Sequence, residues 1–237
     1  MRPKVANKSF TALVTAALKR VEPPLGNELS VVADTAERES ERDAATDLGK
    51  RAFDLVVASL LILLLAPALL LISVAIFIES GGPVFFRQAR GGLGGREFSI
   101  FKFRTMRTDG DIGWTQRGDS RITLLGGLLR RTSIDELPQL FNVVLGDMSL
   151  VGPRPHASQM DDEYRALIYD YDDRLDVRPG ITGLAQVSDL RGSIGDLSDM
   201  RKRVTVDVAY IRGWSFGLDL KILARTIPHL LESGNSF

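Results

Sequence analysis

Apolar and polar positions alternate along most of the chain, with one long exception. The segment Leu55–Ile78, LVVASLLILLLAPALLLISVAIFI, holds 24 residues without a charge. About 20 such residues cross the hydrocarbon core of a bilayer as a helix. The run begins too far into the chain to be the apolar stretch of a secretory signal. Pro67 stands at its middle, where it removes a backbone donor and crowds the preceding turn, so a kink is expected near Ala66-Pro67. Two geometries fit this pattern: a kinked spanning helix, or a helix–break–helix hairpin that returns to its starting side. Lys50 and Arg51 flank the entrance, and Arg87, Arg90 and Arg96 flank the exit. Positive flanks favour the cytoplasmic side, and positive charge on both flanks favours the re-entrant hairpin. The bent backbone would then need internal or water partners, because lipid offers none.

Shorter periodicities organise the remainder. After Gly81-Gly82-Pro83, PVFFRQ and REFSIFKFRTM read as strands joined by the Gly-rich turn GGLGG. GGLLRRTS reads as a short helix, DDEYRALIYDYDDRL as helical, VRPGITGLAQV as turn and strand, and DLSDMRKRVTVDVAYIRG as a helix. In FGLDLKILARTIPHLLES, the residues Leu220, Ile222, Leu223, Ile227 and Leu230 fall near one helical face, suited to core packing or membrane contact. Residues 1–49 mix charged and small residues and read as a poorly ordered leader. Within them Phe10, Leu13, Val14, Ala17 and Leu18 have the spacing of a short surface helix. The expected organisation is a leader over 1–49, a re-entrant membrane helix over 50–82 and a cytosolic domain over 83–237. The expected fold class is α/β, helix-rich with a small sheet or hairpin.

Composition adds exclusions. Thirty Lys+Arg balance thirty Asp+Glu, so global charge signals no polyanionic partner, and no nucleic-acid partner is expected. The distribution is uneven: ten Lys/Arg against four Asp/Glu lie between Arg87 and Arg131, and Arg outnumbers Lys by 23 to 7. The planar Arg fork suits phosphate, although codon bias gives the same excess. The absence of cysteine excludes disulfides, Cys-ligated zinc and a thiol nucleophile. Two histidines, His156 and His229, poorly supply a histidine-rich metal site or a serine–histidine triad.

The candidate chemistry lies in TSIDELPQLFNVVLGDMSLVGPRP. Asp135 and Glu136 stand together at an expected helix start. Ser133-x-x-Glu136 fits a capping box, and Pro138 fits Asp135 as the cap. The same position suits catalysis: a helix dipole, with Arg130 and Arg131 one turn upstream, would hold the carboxylate ionised. Such a carboxylate can attack phosphorus, hold Mg²⁺, or both. Arg154 is restricted by Pro153 and Pro155, which preorganises a phosphate-binding fork. The acidic positions Asp161, Asp162, Glu163, Asp170, Asp172, Asp173 and Asp176 read as a solvated helix face rather than a metal site. GGLGG matches neither phosphate-loop pattern and reads as a hairpin turn.

Several ordered segments together resemble a known family. KRAFDLVVASLLILLLAPALLL, GGPVFFRQ, FSIFKFRTM, DSRITLLGGLLRRTSIDELPQLFNVVLGDMSLVGPRP and VRPGITGLAQV are similar to the bacterial sugar transferases, the monotopic polyprenyl-phosphate phosphoglycosyl transferases. The resemblance runs from about Lys50 to Ile227. PRPHA and RGSIGDLSDMRKRVTVDVAYIRGWS are most similar to members that load glucose 1-phosphate. Ser120 stands where the family pattern has proline, and Ala66 where serine is frequent. The resemblance implies transfer of a sugar 1-phosphate, glucose or galactose, from a UDP-sugar to undecaprenyl phosphate with release of UMP. This would be the first membrane step of exopolysaccharide or other glycan assembly. It implies Asp135 as covalent nucleophile, Glu136 as base or metal partner, and Mg²⁺ at that pair. Arg154, Arg130 and Arg178 would bind phosphate, and Pro67 would break the hairpin. It places the site on the cytosolic face of the bacterial inner membrane, in contact with lipid, and a homodimer is carried as a further expectation. Two alternatives stand beside it: a glycosyltransferase that releases UDP, and a non-catalytic membrane-anchored subunit for polysaccharide export.

Overall fold

A computed structural model describes Thr15 and residues 44, 46–107, 119–188, 190 and 196–232; the apolar positions of the proposed surface helix of the leader lie outside them. The apolar run forms most of α1, Leu48–Ser80, one helix of 33 residues that continues through Pro67, where the sequence leads one to expect a break between two helices. Its N-cap is Asp47, whose carboxylate accepts the Lys50 N–H at 2.7 Å. Lys50, Asp54, Ala58, Leu69 and Ile76 are buried, and Leu61, Leu65 and Ile72 are partly buried on the same face. Spacings of three and four residues therefore give α1 a continuous seam against the rest of the molecule. The opposite face is apolar and uncovered, with Leu63 and Leu64 each 74% exposed and Ile78 78% exposed.

Both ends of α1 are tied to the same body. At the N-terminal end Lys50 Nζ donates to Asp219 (2.6 Å) and to the Val151 carbonyl (3.1 Å). The Ser149 hydroxyl and the Leu150 N–H donate to Asp54, and Phe53 meets Phe216 edge to face. At the C-terminal end the buried guanidinium of Arg104 donates to the carbonyls of Ser80, Gly81 and Gly82. The Leu125 N–H donates to Glu79. Lys50 and Arg51 are therefore structural cations, because Arg51 reaches the Met148 and Val144 carbonyls. Their charge at the helix entrance is not a free topology signal.

The expected hairpin is present: β1 (Phe85–Gly91) and β2 (Glu97–Phe103) pair antiparallel around a tight turn at Leu93–Gly95. α2 (Leu124–Thr132) follows and ends at Ser133, in the left-handed region at φ 55°. A 3₁₀ turn, Ile134–Glu136, leads to α3 (Gln139–Leu145). A second, parallel pair joins β3 (Ser149–Val151) to β4 (Gly180–Thr182). Its strands cross so closely that a Cβ on Gly180 would strike the Gly152 backbone, a contact only glycine permits. Between them lies α4 (Ser158–Arg165), and α5 (Leu197–Arg212) and α6 (Phe216–Glu232) complete the order. On α6 the apolar face divides: Ile222 is buried in the main core, whereas Leu220 and Ile227 are exposed.

The core has three parts. The largest joins Ala58 of α1 to Leu140, Val143, Val151, Tyr210 and Ile222. A second lies between α5 and Tyr171. The third packs Leu69 and Ile76 of α1 against Phe103 and Leu129, with Ile134 and Leu137 at its edge. The turn bearing Asp135 and Glu136 thus joins the cluster that ties β2 and α2 to the long apolar helix.

The Lys50–Asp219 pair is almost fully buried, with side chains 6% and 3% exposed. Lys50→Met removes one partner and leaves a buried carboxylate held, among the described residues, by Tyr210 and Trp214. Loss of stability of roughly 3–5 kcal/mol is expected, measured by denaturation of the detergent-solubilised protein. A variant as stable as the parent would refute this anchoring role.

Candidate active site

Asp135 and Glu136 occupy the 3₁₀ turn, not the first turn of a helix as their sequence predicts. Ser133 makes no side-chain cap, α3 begins after Pro138, and no side chain caps it. The capping-box and Asp-cap expectations are therefore both corrected. The left-handed Ser133 ends α2 before the pair, and Pro138 already has helical dihedrals after it. In a 3₁₀ turn residues three apart eclipse. Ile134 and Leu137 share that register, and both pack on the Phe103–Leu129 cluster.

The two carboxylates have different surroundings. Glu136 Oε1 accepts Lys102 Nζ at 2.8 Å and Arg154 Nη2 at 2.7 Å, and Oε2 accepts Arg154 Nη1 at 3.3 Å. Lys102 comes from β2, where the two-residue strand period places it on the face of Phe98 and Ile100. Arg154 comes from the segment after β3. Burial opposes charge on Glu136, but the two cations outweigh it and hold the carboxyl well below its usual range. Asp135 accepts no side-chain hydrogen bond among the described residues. Desolvation, and then repulsion from Glu136, push its carboxyl up to about 6, against the pull of Lys102, Arg130 and Arg154. The expectation that a helix dipole and upstream arginines dominate at Asp135 is thus corrected: burial dominates. Two adjacent acids with divided affinities for protons mark a site with divided roles.

The cations cluster as the sequence predicts, with changes in membership. Arg154 is brought to the acidic pair. Arg130 is near Asp135, its Nε donating to Thr105 Oγ1 at 2.8 Å. Arg178 is not brought there: its Nε donates to the Gly146 carbonyl, beyond the far end of α3. A seven-residue helix separates these ends by roughly 10 Å. Lys102 and Arg90 are additional members. Arg90 Nη1 donates to the Pro155 carbonyl at 3.1 Å, and desolvation, with repulsion from Arg154, lowers its pKa to about 10. Lys102 could have been found as the one charge inside the apolar strand FSIFKF. Four cations thus lie about two carboxylates, an excess of positive charge that favours anions.

A metal ion meets a restricted donor set here. Among the described residues no group of three or more Asp, Glu or His side chains gathers. Mg²⁺ is commonly held by one or two carboxylates together with substrate phosphates. The Asp135-Glu136 pair fits that mode and not an all-protein cage, because the surrounding cations repel an unaccompanied dication.

His156 and part of the acidic cluster form a buried network behind Arg154. Asp161 is buried, not solvated as the sequence predicts, because Tyr171 donates to it at 2.7 Å from an apolar pocket. Asp162 and Asp172 remain on the surface with Arg165. Burial and the Arg174 charge hold His156 well below its usual pKa, so it is neutral.

Comparison with known proteins places this site in context. Residues 45–233 match the family model described as bacterial sugar transferase. The chain is 56% identical over 196 residues to the UDP-glucose:undecaprenyl-phosphate glucose-1-phosphate transferase of Caulobacter vibrioides, covering 81% of this chain and 73% of that one. It is 48% identical over 201 residues to the protein of the same name from Xanthomonas campestris pv. campestris, covering 83% of this chain but 42% of that one. A third relative, the UDP-N-acetylgalactosamine-undecaprenyl-phosphate N-acetylgalactosaminephosphotransferase of Aeromonas hydrophila, is 43% identical over 185 residues, with 77% and 43% covered. The chain thus spans under half the length of the last two. With a family match across nearly the whole described region, and the acidic pair and its arginine brought together, this chain belongs to the bacterial sugar transferase family.

Proposed function

We propose that the protein transfers glucose 1-phosphate from UDP-glucose to undecaprenyl phosphate by way of a phosphosugar on Asp135. The observation that carries this reading is the division of labour between the carboxylates. Glu136 is committed to fixing Lys102 and Arg154, whereas Asp135, among the described residues, accepts no side-chain hydrogen bond although cations lie near it. An Asp135 oxygen attacks the sugar-side phosphorus, and the bond from that phosphorus to the bridging oxygen breaks. UMP leaves with the bonding electron pair. A phosphate oxygen of the lipid then attacks the same phosphorus, and Asp135 departs as a carboxylate. Arg154, Lys102 and Arg130 offset charge on the diphosphate. Mg²⁺, if carried in by the diphosphate oxygens beside the Asp135-Glu136 pair, would supply further neutralisation of that charge. Glucose is favoured because the relatives at 56% and 48% identity carry that name.

The helix α1 supports a re-entrant arrangement at the cytosolic face of the bacterial inner membrane. Its 33 residues are enough to span a bilayer by length alone. Yet Lys50 and Asp54 at one end, and Glu79 and Ser80 at the other, bind one domain. A spanning helix would set those ends on opposite sides of the bilayer. Ile134 and Leu137 seat the acidic turn against this helix, where a soluble nucleotide sugar and a lipid phosphate can meet.

Three outcomes are expected. Purified protein given UDP-glucose and undecaprenyl phosphate should release UMP; release of UDP would instead identify an ordinary glycosyltransferase. Asp135→Asn should fold normally yet lose activity on the order of a thousandfold or more, since an amide cannot form the acyl phosphate. Undiminished turnover by that variant would remove Asp135 from the chemistry. The pH profile follows from the raised affinity of Asp135 for protons. The protonated carboxyl is not a nucleophile, so kcat/KM should fall as pH drops below about 6. A profile flat down to the ordinary aspartate range, about 4, would contradict this.

Topology has its own test. The chain lacks cysteine, so Thr46→Cys and Glu97→Cys each introduce a unique thiol on either side of α1. Neither should react with an impermeant thiol reagent applied to intact cells, and both should react in inverted vesicles. Labelling of one site from outside would establish a spanning helix.

A further inference from the structure

The Pro153-Arg154-Pro155 segment is held by its carbonyl oxygens. Its two prolines carry no N–H, so it cannot be fixed as an ordinary strand. Instead the Pro153 carbonyl accepts the Gly180 N–H at 2.8 Å. The Arg154 carbonyl accepts Arg174 Nη2, and the Pro155 carbonyl accepts Arg90 Nη1 at 3.1 Å. Three consecutive acceptors thus meet three donors from separate parts of the chain.

Arg174 is itself locked. Its Nε and Nη2 donate to Asp207 Oδ2 on α5 at 3.3 and 3.1 Å. Its Nη1 lies 2.8 Å from His156 Nδ1 and 3.3 Å from the Tyr171 hydroxyl. His156 Nδ1 also lies 2.7 Å from the Tyr171 hydroxyl, so Arg174, His156 and Tyr171 meet at one point. Arg174, Asp207, Asp161, His156 and Tyr171 are all 5% exposed or less. A buried ionic network of this kind is a poor source of stability compared with apolar packing, so its placement asks for another use. That use lies at residue 154. Glu136 holds the guanidinium of Arg154 from the pocket side, and Arg174 holds the carbonyl of the same residue from the core side.

We propose that Arg174, with Asp207 as its counter-charge, is a positioning residue that aims the Arg154 guanidinium at the substrate phosphate. Arg174 touches no substrate; it acts through the backbone of Arg154. This rests on the reading of Arg154 as a phosphate ligand.

The test is a double-mutant cycle on the full-length enzyme in detergent, reading KM for UDP-glucose and kcat, with a melting curve for each variant. Arg174→Lys keeps the charge but cannot serve Asp207, His156 and the Arg154 carbonyl together. It should raise KM or lower kcat/KM by about tenfold, within the range that small misplacements cost. Arg154→Lys should cause a loss of its own, because it keeps the charge without the fork. The double variant should lose little beyond Arg154→Lys, since Arg174 has then no fork to aim. If Arg174→Lys does not fold, Asp207→Asn, which preserves side-chain volume and an oxygen acceptor, takes its place with the same expected coupling. Losses that multiply in the double variant, or an Arg174→Lys enzyme with unchanged constants, would overturn the positioning role alone. An Arg154→Lys enzyme with unchanged constants would overturn the phosphate role of Arg154 and the proposal with it.

Discussion

The contact on which the site depends is the one Glu136 makes with Lys102 and Arg154. It joins three parts of the chain that have no local reason to meet: a strand of the hairpin, the turn between α2 and α3, and the segment after β3. Each of the three groups would be costly to bury alone. Together they leave Asp135, among the described residues, as the carboxylate without a side-chain hydrogen bond, beside cations of the sign that phosphate needs. In the proposed reaction one acid of the pair organises, and its neighbour reacts.

The site is tied to α1 by simple geometry. Ile134 and Leu137 flank Asp135 and Glu136 and pack toward Leu69 and Ile76 of α1 through Phe103 and Leu129. The acidic turn cannot move far from this helix without opening an apolar cluster. The helix, in turn, is held at both ends by polar contacts and along one face by packing. Its other face offers lipid a surface of leucine, isoleucine, valine and phenylalanine. Membrane attachment and catalytic geometry are thus parts of one packing arrangement.

Elements whose signals are local are readable in the sequence. The hairpin around GGLGG, the helices α2, α5 and α6, and the long apolar helix all follow from period and turn residues. Asp135, Glu136 and Arg154 stand out as candidates because an adjacent acidic pair and a proline-clamped arginine are locally unusual, and the fold brings the three together. What is not readable depends on distant partners. Ser133 and Glu136 have the spacing of a capping box, yet the left-handed Ser133 and the long-range cations decide otherwise. Asp161 looks solvated beside Asp162 and Glu163 until Tyr171 folds onto it. Arg178 looks like a phosphate ligand but serves the carbonyl end of α3. The three-residue strands β3 and β4 are too short to carry a period, and their pairing rests on glycines that permit close approach.

The central claim is that Asp135 carries the phosphosugar. It is tested most directly by giving the wild-type enzyme UDP-glucose without lipid acceptor, quenching, digesting and weighing the peptide that contains Asp135. The account predicts a phosphohexose adduct on that residue, formed with stoichiometric UMP and lost when undecaprenyl phosphate is added. An unmodified Asp135 peptide from enzyme that is fully active with acceptor, or an adduct on another residue, would contradict it.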